Sequence, residues 1–259
     1  MRSPLIPDTE VDRSLVAALR ITDHDAAWGA LKHGANYRTY FTVHTAEDFV
    51  RLAGSPDETG MYDTFNGLFC ALVEAGANAS MEAVVDGVTR TPLLHACTRG
   101  STGNLRFLLG RNVPSTQLVA GTSAFVAVCA GKVEEHAIEC VTALAEASEQ
   151  AAVRKCEADV QRSALIIACE TSRVNLASAL LRCGSALSSA DKSSGDTALH
   201  VAAANGNAVL LDTLASDAEA EDLQTAKAHR NKAGKTPWQV AQAAGLGADV
   251  LQEMQQLLA

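Results

Sequence analysis

A ten-residue pattern recurs in register five times along the chain: TPLLHACTRG at Thr91, TSAFVAVCAG at Thr122, SALIIACETS at Ser163, TALHVAAANG at Thr197 and TPWQVAQAAG at Thr236. A chain that repeats one local unit must bury each copy on its neighbours, since a single copy cannot cover its own apolar face. Every copy opens on a hydroxyl residue, and Pro92 and Pro237 follow two of them, which is the chemistry of a helix cap and first turn. Each has alanine at its sixth position (Ala96, Ala127, Ala168, Ala202, Ala241), where a larger side chain would hold adjacent units apart. Four copies carry glycine at the tenth position, Gly100, Gly131, Gly206 and Gly245, and the third has Ser172. Glycine there offers the left-handed conformation that ends a helix, so each copy predicts a helix of about two turns.

A second apolar pattern follows: Leu105, Phe107, Leu108 and Leu109; Ile138, Val141 and Leu144; Leu176, Leu180 and Leu181; Leu210, Leu211 and Leu214. Spacings of three and four put these groups on one helical face, and each unit therefore reads as helix, turn, helix. The second helices end at Gly34, Gly76, Cys183 to Ser185 and Asn112. Counting back from Gly34 predicts an opening helix over Arg13 to Ile21 with Ala18 at its sixth position. Before the second helix around Leu68, Phe69, Leu72 and Val73, the matching first helix falls at Thr45 to Ala53. The chain then has about seven units, the first two divergent.

The pattern resembles the ankyrin repeat, a unit of about 33 residues with a T-P-L-H-x-A signature. The resemblance is strongest at Thr197, where His200 holds the signature histidine, and at Thr236, preceded by NKAGKTP. At the histidine position the other units have Leu94, Phe125, Ile166 and Gln239. The resemblance implies an all-α solenoid of stacked helix-turn-helix units with short β-turn fingers and a concave binding surface. It also implies contact residues just before the threonine and at the fifth and eighth positions: Arg90, His95 and Thr98; Lys192, Ser193, Asp196, Val201 and Ala204; Lys232, Lys235, Val240 and Ala243.

On this reading residues 1–259 form one repeat domain. Its parts are an N-terminal capping repeat (1–36), a divergent second repeat (37–90), central repeats (91–235) with insertions at 145–162 and 217–232, and a C-terminal capping repeat (236–259). The first insertion has helical composition and is expected to lengthen the preceding second helix. The other runs from acidic (Asp217, Glu219, Glu221, Asp222) to basic (Lys227, His229, Arg230, Lys232, Lys235), a solvated loop or extended helix on one reading and an electrostatic docking strip on another. Tyr37, Tyr40 and Phe41 stand where a turn finger is expected, either as interface anchors or as packing onto the next repeat. In the last helix Val250, Leu251, Met254, Leu257 and Leu258 face inward and Gln252, Glu253, Gln255 and Gln256 outward.

With 47% hydrophobic but only 4% aromatic residues, the interior must be built from closely stacked Ala, Leu and Val. A net charge of −9 argues against general nucleic-acid binding. No apolar run is long enough for a membrane span or secretory leader, which predicts a soluble cytoplasmic protein, with nuclear or cytoskeletal association left open. Seven cysteines without a C-x-x-C pair point to a reducing compartment and a packing role. The histidines make no metal-ligand spacing, AGKT at Ala233 lacks the earlier glycine of a phosphate loop, and no nucleophile elbow exists. The sequence thus predicts no enzyme, cofactor or metal. It predicts a protein-interaction module or scaffold; the alternatives are a constitutive subunit of a large cytoskeletal or organellar assembly and, more remotely, a regulatory subunit of an enzyme.

Overall fold

A computed structural model describes residues 9–20, 23–55, 66–148 and 159–258. The chain divides into two compact units, Met1–Ser115 and Thr116–Ala259.

In the first unit three helix pairs follow one another: Glu10–Arg20 with His24–Lys32, Ala46–Ala53 with Gly67–Glu74, and Pro92–Arg99 with Thr102–Gly110. The divergent first two repeats are therefore helix pairs, with the opening helix displaced a little from the expected Arg13–Ile21. Thr45 caps the second pair through a reciprocal box, its hydroxyl accepting from the Asp48 N–H at 3.2 Å while the Asp48 carboxylate accepts from the Thr45 N–H at 2.7 Å. Ahead of the third pair a hairpin pairs Ala83–Val85 with Val88–Arg90, turning at Asp86 and Gly87, whose φ values of 52° and 78° suit a tight two-residue turn.

Tyr37, Tyr40 and Phe41 form no finger. They lie on the 3₁₀ helix Tyr37–Thr42, and Tyr40 is only 2% exposed. Its ring meets Phe41 edge-on at 5.2 Å and Phe49 at 6.4 Å, and the series continues from Phe49 to Phe69 at 5.4 Å and from Phe69 to Phe107 at 6.4 Å. This aromatic row gives the first unit a core that the alanine stacking elsewhere does not have.

In the second unit the pairs are Ala124–Cys129 with Glu134–Glu146, Ala164–Glu170 with Val174–Arg182, Ala198–Ala204 with Ala208–Asp217, and Pro237–Ala243 with Ala248–Leu258. First helices pack on first helices and second on second, making two layers. The sixth-position alanines Ala168, Ala202 and Ala241 are wholly buried, which lets neighbouring backbones approach. In the last helix Met254 and Leu258 are buried while Gln252, Glu253, Gln255 and Gln256 are exposed.

Three expectations need correction. Thr122 is not a cap: it pairs with Val119 across a tight turn through Ala120 and Gly121, and the next hydroxyl, Ser123, accepts from the Val126 N–H at 3.1 Å instead. Gly131 does not take the left-handed conformation, whereas Gly100, Gly206, Gly245 and even Ser172, at φ 54°, do. The insertion 145–162 does not extend the preceding helix beyond Glu146, where Ala147 caps it. Residues 149–158 of it lie outside those described. The other insertion forms its own helix, Ala220–Ala228.

Candidate functional site

Three successive turns of the second unit are hooked together ahead of their helices. The Lys192 N–H donates to the Gln161 carbonyl at 3.0 Å, and the Lys232 N–H to the Ser194 carbonyl at 3.0 Å. Two lysine ammoniums reinforce the series, Lys192 Nζ on the Asp159 carbonyl at 2.8 Å and Lys232 Nζ on the Lys192 carbonyl at 2.6 Å. Gly195, at φ 75°, is required here, because a Cβ would come within 2.9 Å of the Lys232 nitrogen.

Asp191 organises the middle turn. Its buried carboxylate accepts from the N–H groups of Ser193 and Ser194 at 2.6 and 3.0 Å, from the Ser193 hydroxyl, and from Arg162 Nε at 2.7 Å. Burial alone would raise its pKa, but these donors outweigh it and hold the carboxyl well below the usual range. The carboxylate is thus a structural anion that shapes the turn.

Behind these turns lies an open cleft of about 390 Å³, its walls including Glu170, Asp196, His200, Val201, Ala204, Asn231, Lys235 and Val240. His200 is buried in its wall, and burial lowers its pKa against the opposing effect of its bond to the Lys235 carbonyl, so the ring is neutral near pH 7. Asp196 accepts from Asn231 Nδ2 at 2.7 Å, which pins the rim where two turns meet. Small side chains at Val201 and Ala204 leave the space open, with an apolar floor and a rim of mixed charge. Such a site binds a side chain or short segment noncovalently.

Of the residues expected from the sequence, Asp196, Val201, Ala204, Lys235 and Val240 come together in this cleft. Lys192 and Lys232 lie outside its lining and staple the turns. Arg90, His95 and Thr98 sit in the first unit. Thr98 bonds back to the Leu94 carbonyl at 2.9 Å, and His95 is buried beneath Arg90, its Nδ1 3.5 Å from Arg90 Nη1. Glu170, Asn205, Asn231 and Asp191 were not foreseen. The one available signal was the recurrent Asp or Asn ahead of each turn, in DKSSGDT and NKAGKT.

The acidic-then-basic strip is largely built into the fold. Asp222 accepts from the N–H groups of Leu187 and Ser188 at 2.6 and 3.1 Å, Asp217 accepts from the Ser178 hydroxyl, and His229 Nε2 lies 3.1 Å from the Gly195 carbonyl. Cysteine chemistry is quiet as well: burial pushes the Cys70 and Cys169 thiols up to about 12, which keeps them protonated. Among the described residues no cluster of His, Cys, Asp and Glu could hold a metal, and no helix is long and apolar enough to cross a membrane.

Paired helices in two layers, joined by interlocked turns beside an open cleft, define an all-α repeat protein of the kind that offers a binding face. Residues 129–226 match the family model described as ankyrin repeats, in three copies. The fold is similar over 96% of the chain to the crystal structure of the human ASB11 ankyrin repeat domain, covering 97% of that chain at 20% identity with a TM-score of 0.61. It is equally similar to the ankyrin repeat domain of Bcl-3, a member of the IkappaB family, with 96% and 98% of the two chains covered, 21% identity and a TM-score of 0.61. The search of curated proteins finds no match. Ankyrin repeat folds generally serve as protein–protein interaction modules.

Proposed function

We propose that this protein is a non-enzymatic interaction module or scaffold that binds intracellular protein partners, in the cytoplasm, on the face made by its turns and first helices. The supporting observation is the convergence of Asp196, Val201, Ala204 and Lys235 on one cleft of about 390 Å³ in the second unit. Val201 and Val240 supply apolar contact to a partner side chain, and the oppositely charged Asp196 and Lys235 orient it. The net charge of −9 favours a protein over a nucleic-acid partner.

Ala204 is exposed, so Ala204→Arg fills the cleft without touching the core. In pull-downs from cell lysate with identification by mass spectrometry, the native chain should retain a defined set of proteins that Ala204→Arg loses. Retention of no protein by the native chain, or of the same set in the same amounts by the variant, would sink this reading.

A further inference from the structure

Three guanidiniums meet around one buried imidazole in the first unit. Arg51 lies on the helix Ala46–Ala53, Arg90 closes the second strand of the hairpin, and Arg99 sits one turn beyond His95 on the helix Pro92–Arg99. Arg90 Nη1 approaches His95 Nδ1 at 3.5 Å. A Cβ built on Gly54 would meet His95 Cδ2 at 2.5 Å and Arg99 Cγ at 2.6 Å, so the two side chains lie together over that glycine.

Only Arg51 is neutralised. Its Nη2 donates to Glu47 Oε1 and to Asp86 Oδ1, both at 2.7 Å. Arg90 and Arg99 have no carboxylate within ion-pair distance among the described residues. Burial and the surrounding guanidiniums keep His95 uncharged, with its pKa lowered to about 4. Three cations against two anions therefore leave a locally positive patch on a chain whose net charge is −9. Arg99 is exposed, and Val88, two residues before Arg90 on the same face of the hairpin, is 44% exposed.

We infer that this patch docks an acidic segment of a protein partner, with Asp or Glu carboxylates held by Arg90 and Arg99 and an adjacent apolar side chain resting on Val88. Guanidinium forks match carboxylates geometrically, and two of them without an internal carboxylate lack an anion that the partner supplies. An exposed valine beside the cations suits a peptide better than a polyanion, and the overall negative charge repels a long nucleic acid. The inference rests on the proposed protein-binding role but on a different surface.

The test measures fluorescence anisotropy of the full chain with a short labelled peptide of alternating Glu and Val, its Gln and Val counterpart, a phosphoserine version and a thymidylate oligonucleotide. The native chain should bind the Glu peptide, in a salt-sensitive manner, and not the Gln peptide. Arg90→Glu/Arg99→Glu should weaken that binding by about tenfold or more, with Arg90→Gln/Arg99→Gln as the milder variant should the reversal fail to fold, while Arg111→Glu in the same unit should leave it unchanged. No binding of the Glu peptide by the native chain, equal binding by the double variant, binding of the phosphoserine version alone, or tighter binding of the oligonucleotide would each overturn the inference. Partners retained by the charge-reversed chain but lost by Ala204→Arg would defeat this inference and leave the proposed function standing.

Discussion

His200 joins two repeats through one ring: its Nδ1 lies 3.2 Å from the Thr197 nitrogen, whose N–H it accepts, and its Nε2 lies 3.0 Å from the Lys235 carbonyl oxygen. An N–H facing Nδ1 requires that nitrogen to be the acceptor, so the proton resides on Nε2 and the ring is neutral. The cap of one unit and the turn of the next are thereby tied to the same side chain. Replacing His200 by Ala leaves the Thr197 N–H and the Lys235 carbonyl without this partner, which should cost about 2 kcal/mol or more. Urea unfolding measures it, and a loss well under 1 kcal/mol would remove the ring from this role.

Acidification should destabilise the fold before the carboxylates titrate. The folded pKa of His95 is about 4 against an ordinary 6.5. Above 6.5 neither state binds the proton; below it the unfolded chain does and the folded chain does not, so stability falls as pH drops from 6.5 toward 4. The loss for His95 is about 3 kcal/mol, and His200, also lowered by burial, adds in the same direction. Asp12, Asp48 and Asp191, held below the usual carboxylate range, contribute only at lower pH. Urea midpoints at neutral pH and near pH 4.5 should differ strongly in the native chain and less in His95→Gln. An equal pH dependence in both would exclude His95 as the cause.

Gly54 is needed for space. Its φ of −96° suits any residue, yet a Cβ there would lie 2.5 Å from His95 Cδ2. Gly54→Ala should therefore destabilise by about 1–3 kcal/mol. In the His95→Ala background the same substitution should cost less, since the clashing ring is gone and only the flexible Arg99 side chain, with its Cγ at 2.6 Å, has to shift. A double-mutant cycle with no coupling between the two positions contradicts this account.

Ser172 ends its helix in the left-handed conformation that glycine adopts in the equivalent place of three other units. For a residue with a side chain that conformation costs roughly 1–2 kcal/mol. Ser172→Gly should consequently stabilise the chain, by about 1 kcal/mol once the greater freedom of the unfolded glycine is subtracted. Thermal unfolding would show a melting point higher by about 2–4 °C; a lower one would refute the prediction.

Regular elements were legible because each is encoded within a few residues. The sixth-position alanines, the Thr45 and Ser163 caps and the second-helix terminators at Gly34, Gly76 and Asn112 all occur where their local chemistry places them. Errors fell where a distant or competing partner took a group away. Thr122 is spent on Val119, which passes the cap to Ser123. For Tyr40, left open between an interface anchor and packing, the row of aromatic rings contributed by several helices decides for packing. The candidate cleft was half visible: the repeat register located Val201, Ala204, Asp196 and Lys235, but Glu170 and Asn231 come from neighbouring repeats.

By itself the sequence determined the repeating unit, its two helices and the small residues that let copies stack, because hydrophobic period, caps and glycine conformations act over a single turn of chain. The tertiary structure decided which charged side chains remain available to a partner. Asp217, Asp222, Lys192 and Lys232 looked like a surface for recognition but are bonded within the fold, whereas Arg90 and Arg99 have no carboxylate partner among the described residues. Pairing depends on which groups from separate repeats come within about 3 Å, and only the stacking of those repeats brings them there.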